Sequence, residues 1–152
     1  EHTGYVCSVA VTKDAIASGS AGNTAGIWAL NGGGSRHTLP HPRGVAAVAM
    51  EGNVLVTGCV DTVVRTFSVS TGQRTRELRG HTDFVLTVAL SGSMVVSGSS
   101  DRTVKVWALT GEKTGECVTT LKGHSGSAKG VVAGPDFVAS SWALWRARVG
   151  RS

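Results

Sequence analysis

Short apolar runs, each closed by Gly, Ser, Asp or Thr, recur from one end of the chain to the other, and no segment favours a helix. Val6 to Val11, Val45 to Met50 and Phe84 to Leu90 are apolar or small at both alternating positions, the pattern of a strand covered on both faces by neighbouring sheets. Small residues within them, Ala10, Ala49 and Ala89, suit a crowded innermost strand. Further along, strands are predicted near 83–90, 93–98, 103–109 and 115–121, punctuated by Ser-Gly, Asp-Arg and Thr-Gly pairs. The pattern is that of an all-β chain of short strands and tight turns.

The runs repeat in register. His2, His41, His81 and His124 open four segments spaced by 39, 40 and 43 residues. Four residues after each histidine stands Val6, Val45, Val85 or Ala128, and seven after stands Val9, Val48, Val88 or Val131. Ser18-Gly19, Thr57-Gly58, Ser97-Gly98 and Ser140-Ser141 follow at sixteen and seventeen, and Trp28, Phe67 and Trp107 at twenty-six. The longer third spacing is absorbed by a predicted hairpin loop, Thr110 to Gly115. After Ser141 the fourth segment departs: WALWRARVGRS stands where a turn Asp and a Trp-ended strand are expected, as in a divergent strand or an abrupt change of reading, the latter favoured.

The third segment, with Gly80-His81, FVLTVAL and MVVSGSSDRTVKVW ending at Trp107, resembles the WD-repeat family over residues 2 to about 141. That resemblance implies a β-propeller of four-stranded antiparallel blades in units of about 2–40, 41–80, 81–123 and 124–141, with 142–152 a divergent tail. About three and a half blades would be a fragment of a ring of about seven, leaving open blade edges through which the chain can self-associate. The resemblance also implies that each blade is pinned by a hydrogen-bond chain of His, turn Asp, Ser or Thr, and Trp: His81, Asp101, Ser97 and Trp107 in unit three. Unit two would keep His41, Thr57 and Asp61 but lose a donor at Phe67; unit one would keep His2, Ser18 and Trp28 but has Gly22 in the Asp position. A buried imidazole, carboxylate and indole are costly alone and favourable when they satisfy one another, so the group reads as structure, not as a triad.

Composition fits a folded chain: of 152 residues, 41% are apolar and 16% charged, with 21 glycines feeding the turns. The net charge of +5 is less informative than it looks, because Arg146, Arg148 and Arg151 lie in a tail without acids. Nucleic acid bound by that tail, with Trp142 and Trp145 as stacking platforms, is therefore the weaker reading. Cys7, Cys59 and Cys117 are odd in number, far apart and never in a C-x-x-C pair, which points to reduced thiols, an intracellular location in cytoplasm or nucleus, and no metal site. No apolar run is long enough to span a membrane.

No catalytic residue or cofactor is expected. Gly32, Gly33 and Gly34 lack the lysine and following helix of a phosphate loop, and no zinc-protease or nucleophile-elbow motif is present. The resemblance implies instead a scaffold binding proteins or peptides on the face bearing the Gly-His loops, through residues three and five places after each histidine. These are Tyr5 and Cys7, Gly44 and Ala46, Phe84 and Leu86, Ser127 and Lys129, joined by Arg102. In style the units are closest to propellers of F-box ubiquitin-ligase substrate receptors. The arginines with which such receptors hold phosphorylated peptides are replaced here by Cys7, Ala46 and Leu86.

Overall fold

A computed structural model describes residues 2–32, 35–141 and 147–150. Among the described residues fifteen strands and no helix form four antiparallel sheets in chain order. The first holds β1 (Val6–Val11), β2 (Ala15–Ser20), β3 (Thr24–Ala29) and β4 (Ser35–Pro40); the second holds β5 (Val45–Glu51), β6 (Val54–Cys59), β7 (Val64–Ser68) and β8 (Arg74–Leu78). The third holds β9 (Val85–Ser91), β10 (Met94–Ser99), β11 (Val104–Ala108) and β12 (Cys117–Leu121). The fourth holds β13 (Gly130–Ala133), β14 (Val138–Ser141) and β15 (Ala147–Gly150). Each sheet is a meander with one register: Ser97 faces Val88 and Lys105 as Thr57 faces Val48 and Arg65.

The core lies between blades rather than inside them. One apolar layer joins Ala17, Ala25 and Ile27 of blade one to Val45, Val48 and Leu55 of blade two. A second joins Val56 and Val64 to Val85, Val88 and Trp107, and a third joins Val96 and Val104 to Ala128 and Val131. The shared position seventeen residues after the histidine explains the close approach. A Cβ at Gly19 would stand 2.8 Å from Val45 Cγ1, one at Gly58 2.8 Å from Val85 Cγ1, and one at Gly98 3.0 Å from Ala128 Cβ. Glycine is there because the next blade's strand fills the space. Polar stitches follow the same seams: Val48 N donates to Ser8 Oγ at 3.1 Å and Ala128 N to Ser99 O at 2.9 Å.

In the fourth blade the less favoured of the two readings of the tail, a divergent strand, is what the described residues show. Residues 147–150 pair with β14 in regular antiparallel register, Ser141 opposite Ala147 and Val138 opposite Gly150. A paired neighbour in β14 suffices for a strand even though the Trp-ended pattern is gone. Trp142, Trp145, Arg146 and Arg151, on which a nucleic-acid contact would rest, lie outside the described residues, as do Gly33 and Gly34 of the glycine run.

The turn between the second and third strands carries a left-handed residue in three blades: Asn23 at φ 63°, Thr62 at 74° and Arg102 at 68°. Asn tolerates that region, whereas a β-branched residue there is strained by about 1 kcal/mol. Thr62→Asn is therefore expected to raise the melting temperature by about 2–4 °C. A melt followed by circular dichroism checks this, and an unchanged or lower midpoint would contradict it.

Candidate interaction face

Beneath the Gly-His loops each blade is pinned by a one-way chain of hydrogen bonds. In blade three Trp107 Nε1 donates to Ser97 Oγ at 2.8 Å, Ser97 Oγ meets His81 Nε2 at 2.8 Å, and His81 Nδ1 meets Asp101 Oδ2 at 2.7 Å. The indole can only donate and the carboxylate only accept, so the imidazole is neutral with its proton on Nδ1. Asp101 also accepts from Thr82 N, Thr103 N and Thr103 Oγ1. Burial would raise the Asp101 carboxyl, but the bonds from Thr103, His81 and the two backbone amides outweigh it and hold it at about 2. Burial lowers His81, against the pull of Asp101.

Blade one builds the same chain without a carboxylate. Trp28 Nε1 donates to Ser18 Oγ at 2.8 Å and Ser18 Oγ meets His2 Nε2 at 2.6 Å, while His2 Nδ1 meets Thr24 Oγ1 at 2.7 Å. Thr24 thus stands in for the missing acid. An acid at position 22 has no room, because a Cβ there would lie 2.6 Å from Gly4 N. The signal was in the sequence: Thr24 and Thr103 both stand twenty-two residues after their histidine.

Blade two corrects the expected membership of Asp61. His41 Nε2 meets Thr57 Oγ1 at 2.9 Å, but His41 Nδ1 donates to Leu39 O at 3.0 Å, and Asp61 plays no part. Its carboxylate is drawn away by Arg65, which donates from Nη1 at 3.0 Å and Nη2 at 2.6 Å and also reaches Glu77 Oε1 from Nε at 3.2 Å. A two-pronged guanidinium pair outcompetes one imidazole N–H for a carboxylate. Phe67 ends the chain as expected, its ring 5.4 Å from that of His41. In blade four His124 Nε2 meets Ser140 Oγ at 2.7 Å.

Above these chains the backbone fixes a display. The carbonyls of Tyr5, Gly44 and Phe84, each three residues after its histidine, accept 2.9 Å bonds from Ala21 N, Val60 N and Ser100 N. The same atoms therefore hold position three rigidly in three blades, and the side chains there point outward: Tyr5 is 88% exposed and Phe84 48%. Cys7, Arg102 and Lys129 are exposed, while Leu86 and Ala46 are half-buried. Among the described residues no group of three His, Cys, Asp or Glu side chains could hold a metal ion.

Residues 72–108, spanning the strands around Ser97, Asp101 and Trp107, match the family described as WD domain, G-beta repeat. The same arrangement of meander blades is matched by a solved structure with a TM-score of 0.90. The fold is that of a β-propeller, and residues 72–108 within it are a WD repeat. The computationally designed Ika4 protein gives that TM-score at 27% identity, covering 99% of this chain and 93% of its own. The designed Ika8 protein matches equally well over 99% of this chain and 47% of its own. The U3-55K structure, at 23% identity a likeness of fold alone, has a TM-score of 0.91 over 100% of this chain and 50% of its own. This chain thus spans about half the length of Ika8 and U3-55K. No curated protein matches it in sequence. WD repeats generally serve as protein-interaction scaffolds and are generally non-catalytic.

Proposed function

We propose that this chain is a non-catalytic WD-repeat platform that binds a protein or peptide segment across its Gly-His loop face. The observation that carries the reading is the pair Tyr5 and Phe84, exposed aromatics on equivalent, backbone-locked positions, with Arg102 and Lys129 exposed as well. Rigid aromatics beside cations are the composition of interaction hot spots. The partner segment is apolar with acidic residues, and it is not a phosphopeptide, since Cys7, Ala46 and Leu86 leave Lys129 as the one cation among the positions that would clamp phosphate. A ubiquitin-ligase substrate receptor of F-box type would use this same face, through a segment of that chemistry.

The non-catalytic part of the proposal rests on the site that most resembles a triad. Ser97 is wholly buried and its hydroxyl is shared between Trp107 and His81, so no substrate carbonyl can reach it. The exposed free thiols of Cys7 and Cys117 support the reading of a reducing compartment, cytoplasm or nucleus.

Selection of a peptide library displayed on phage against the chain tests the reading. Peptides pairing aromatic or aliphatic residues with Asp or Glu are expected, and Phe84→Ala should weaken their binding by about tenfold or more at an unchanged melting temperature. Selected peptides that bind Phe84→Ala and Tyr5→Ala as well as the parent would overturn the assignment of the face.

A further inference from the structure

The outer edge of blade two carries an arginine cluster with no counterpart in blade three. β8 ends its sheet, and Arg74, Arg76 and Arg79 stand exposed on it or just after it, with Glu77 the one carboxylate among them. An outer strand does not need this charge to stay solvated: β12 fills the same place in blade three with Cys117, Val118, Thr119 and Thr120. Nor does stability require it, because exposed ion pairs contribute little.

The cluster is built from the interior outward. Arg65, whose side chain is 4% exposed, grips Asp61 with both Nη atoms and reaches Glu77 Oε1 at 3.2 Å. Glu77, fixed by that buried anchor, accepts from Arg74 Nη1 at 2.9 Å on Oε1 and from Arg79 Nη2 at 2.6 Å on Oε2. Three guanidinium groups therefore share one carboxylate. Arg74 and Arg79, with side chains 56% and 66% exposed, each spend one donor on it among the described residues, and a guanidinium has five. Arg76 stands on the other face of the strand, opposite Thr66, where a Cβ at Gly115 of the next blade would lie 3.8 Å from its Nη1. No carboxylate pairs with it among the described residues. Arginines on an open surface lose rotamer freedom when they bind, and Arg74 and Arg79 are already held.

We propose that the outer edge of blade two docks an acidic protein segment, extended along β8, with carboxylates seated on Arg74 and Arg79 on one face of the strand and on Arg76 on the other. A carboxylate matches the fork of a guanidinium, and the end of a sheet leaves both faces open to one segment. Because the guanidinium groups lie on both faces, consecutive acids fit rather than alternating ones. A nucleic-acid backbone fits less well. β8 and β12 carry no aromatic ring on which a base could stack, and the exposed Glu112 and Glu116 of the neighbouring hairpin interrupt the positive stripe. This rim surface uses neither Tyr5 nor Phe84 and stands independently of the peptide face.

Fluorescence anisotropy of a labelled oligoglutamate peptide titrated with the 152-residue chain tests the surface, beside a labelled oligothymidylate of equal length. The peptide is expected to bind at about 50 mM salt and to weaken at about 300 mM. Arg76→Ser, and Arg74→Ser combined with Arg79→Ser, should each weaken it by about fivefold or more, with a melting temperature within about 2 °C of the parent. Phe84→Ala, and Arg146→Ser, Arg148→Ser and Arg151→Ser together, should leave peptide binding unchanged. If the paired variant fails to fold, Arg76→Ser decides alone. The proposal is overturned by no binding at the lower salt, by binding indifferent to the β8 variants, by loss in the tail variant instead, or by oligothymidylate binding more tightly than the peptide.

Discussion

Replacing Asp101 with alanine should cost the chain about 3 kcal/mol and lower its melting temperature by about 10 °C. Four donors converge on that carboxylate: His81 Nδ1 at 2.7 Å, Thr103 Oγ1 at 2.6 Å, Thr103 N at 2.8 Å and Thr82 N at 3.1 Å. Alanine leaves them without an acceptor in a place where water enters poorly, because the His81 side chain is wholly buried and that of Asp101 nearly so. The loss spreads beyond the turn. His81 orients Ser97, and Ser97 accepts from Trp107, the largest fully buried side chain of the core. Thermal melts of Asp101→Ala and Asp101→Asn beside the parent check this; a fall of less than about 3 °C for alanine would contradict the role assigned to the carboxylate.

Acid should unfold the chain in two stages. Burial lowers both His41 and His81 in the folded state, so the unfolded chain binds protons first as pH falls below the ordinary histidine value of 6.5. Stability contributed by these neutral imidazoles is complete above that value and declines as pH drops through it towards the lower folded values. A second reason reinforces the first: protonation at Nε2 of His81 would evict the Ser97 hydroxyl proton from its acceptor. The carboxylates act lower. Asp101, at about 2 when folded against an ordinary 3.8, contributes about 2 kcal/mol above pH 4 that is lost between the two values. Asp61, held low by Arg65 despite its burial, and Glu77, held low chiefly by Arg79, lose their contributions over the same range below their ordinary values. Denaturant titrations at pH 7.5, 5.5 and 3 give the stability at each stage, and equal midpoints at the first two would remove the histidine part.

Most of the fold was legible because the repeat states it several times. His81, Ser97 and Trp107 sit at fixed offsets shared by His2, Ser18 and Trp28, and a strand boundary misjudged in one unit is corrected by the next. What misled was the turn acid. Asp61 and Asp101 occupy one position in the repeat, and only the neighbours differ: Arg65 stands where Lys105 does, and its rigid fork captures the acid, while Lys105 reaches Thr120 Oγ1 instead. Spacing shows that an acid is present but not which cation its geometry will favour. Likewise Gly22 read as a missing acid, whereas the backbone of Gly4 pressing on it explains the absence and Thr24 repairs it. The fourth blade's third strand stood in the sequence only as the less favoured of two readings, because its residues match no other unit, and a strand needs only a neighbour to pair with and alternation to pack.

The seventeen-residue offset between histidine and glycine reaches beyond this molecule. Units two and three each carry a valine pair that enters the preceding unit, and units one to three each carry a glycine that admits the next. A duplication or loss of one whole unit in the gene would join a familiar valine pair to a familiar glycine, with no new contact to invent. Blade number is therefore free to drift by whole units, while the join itself is held fixed.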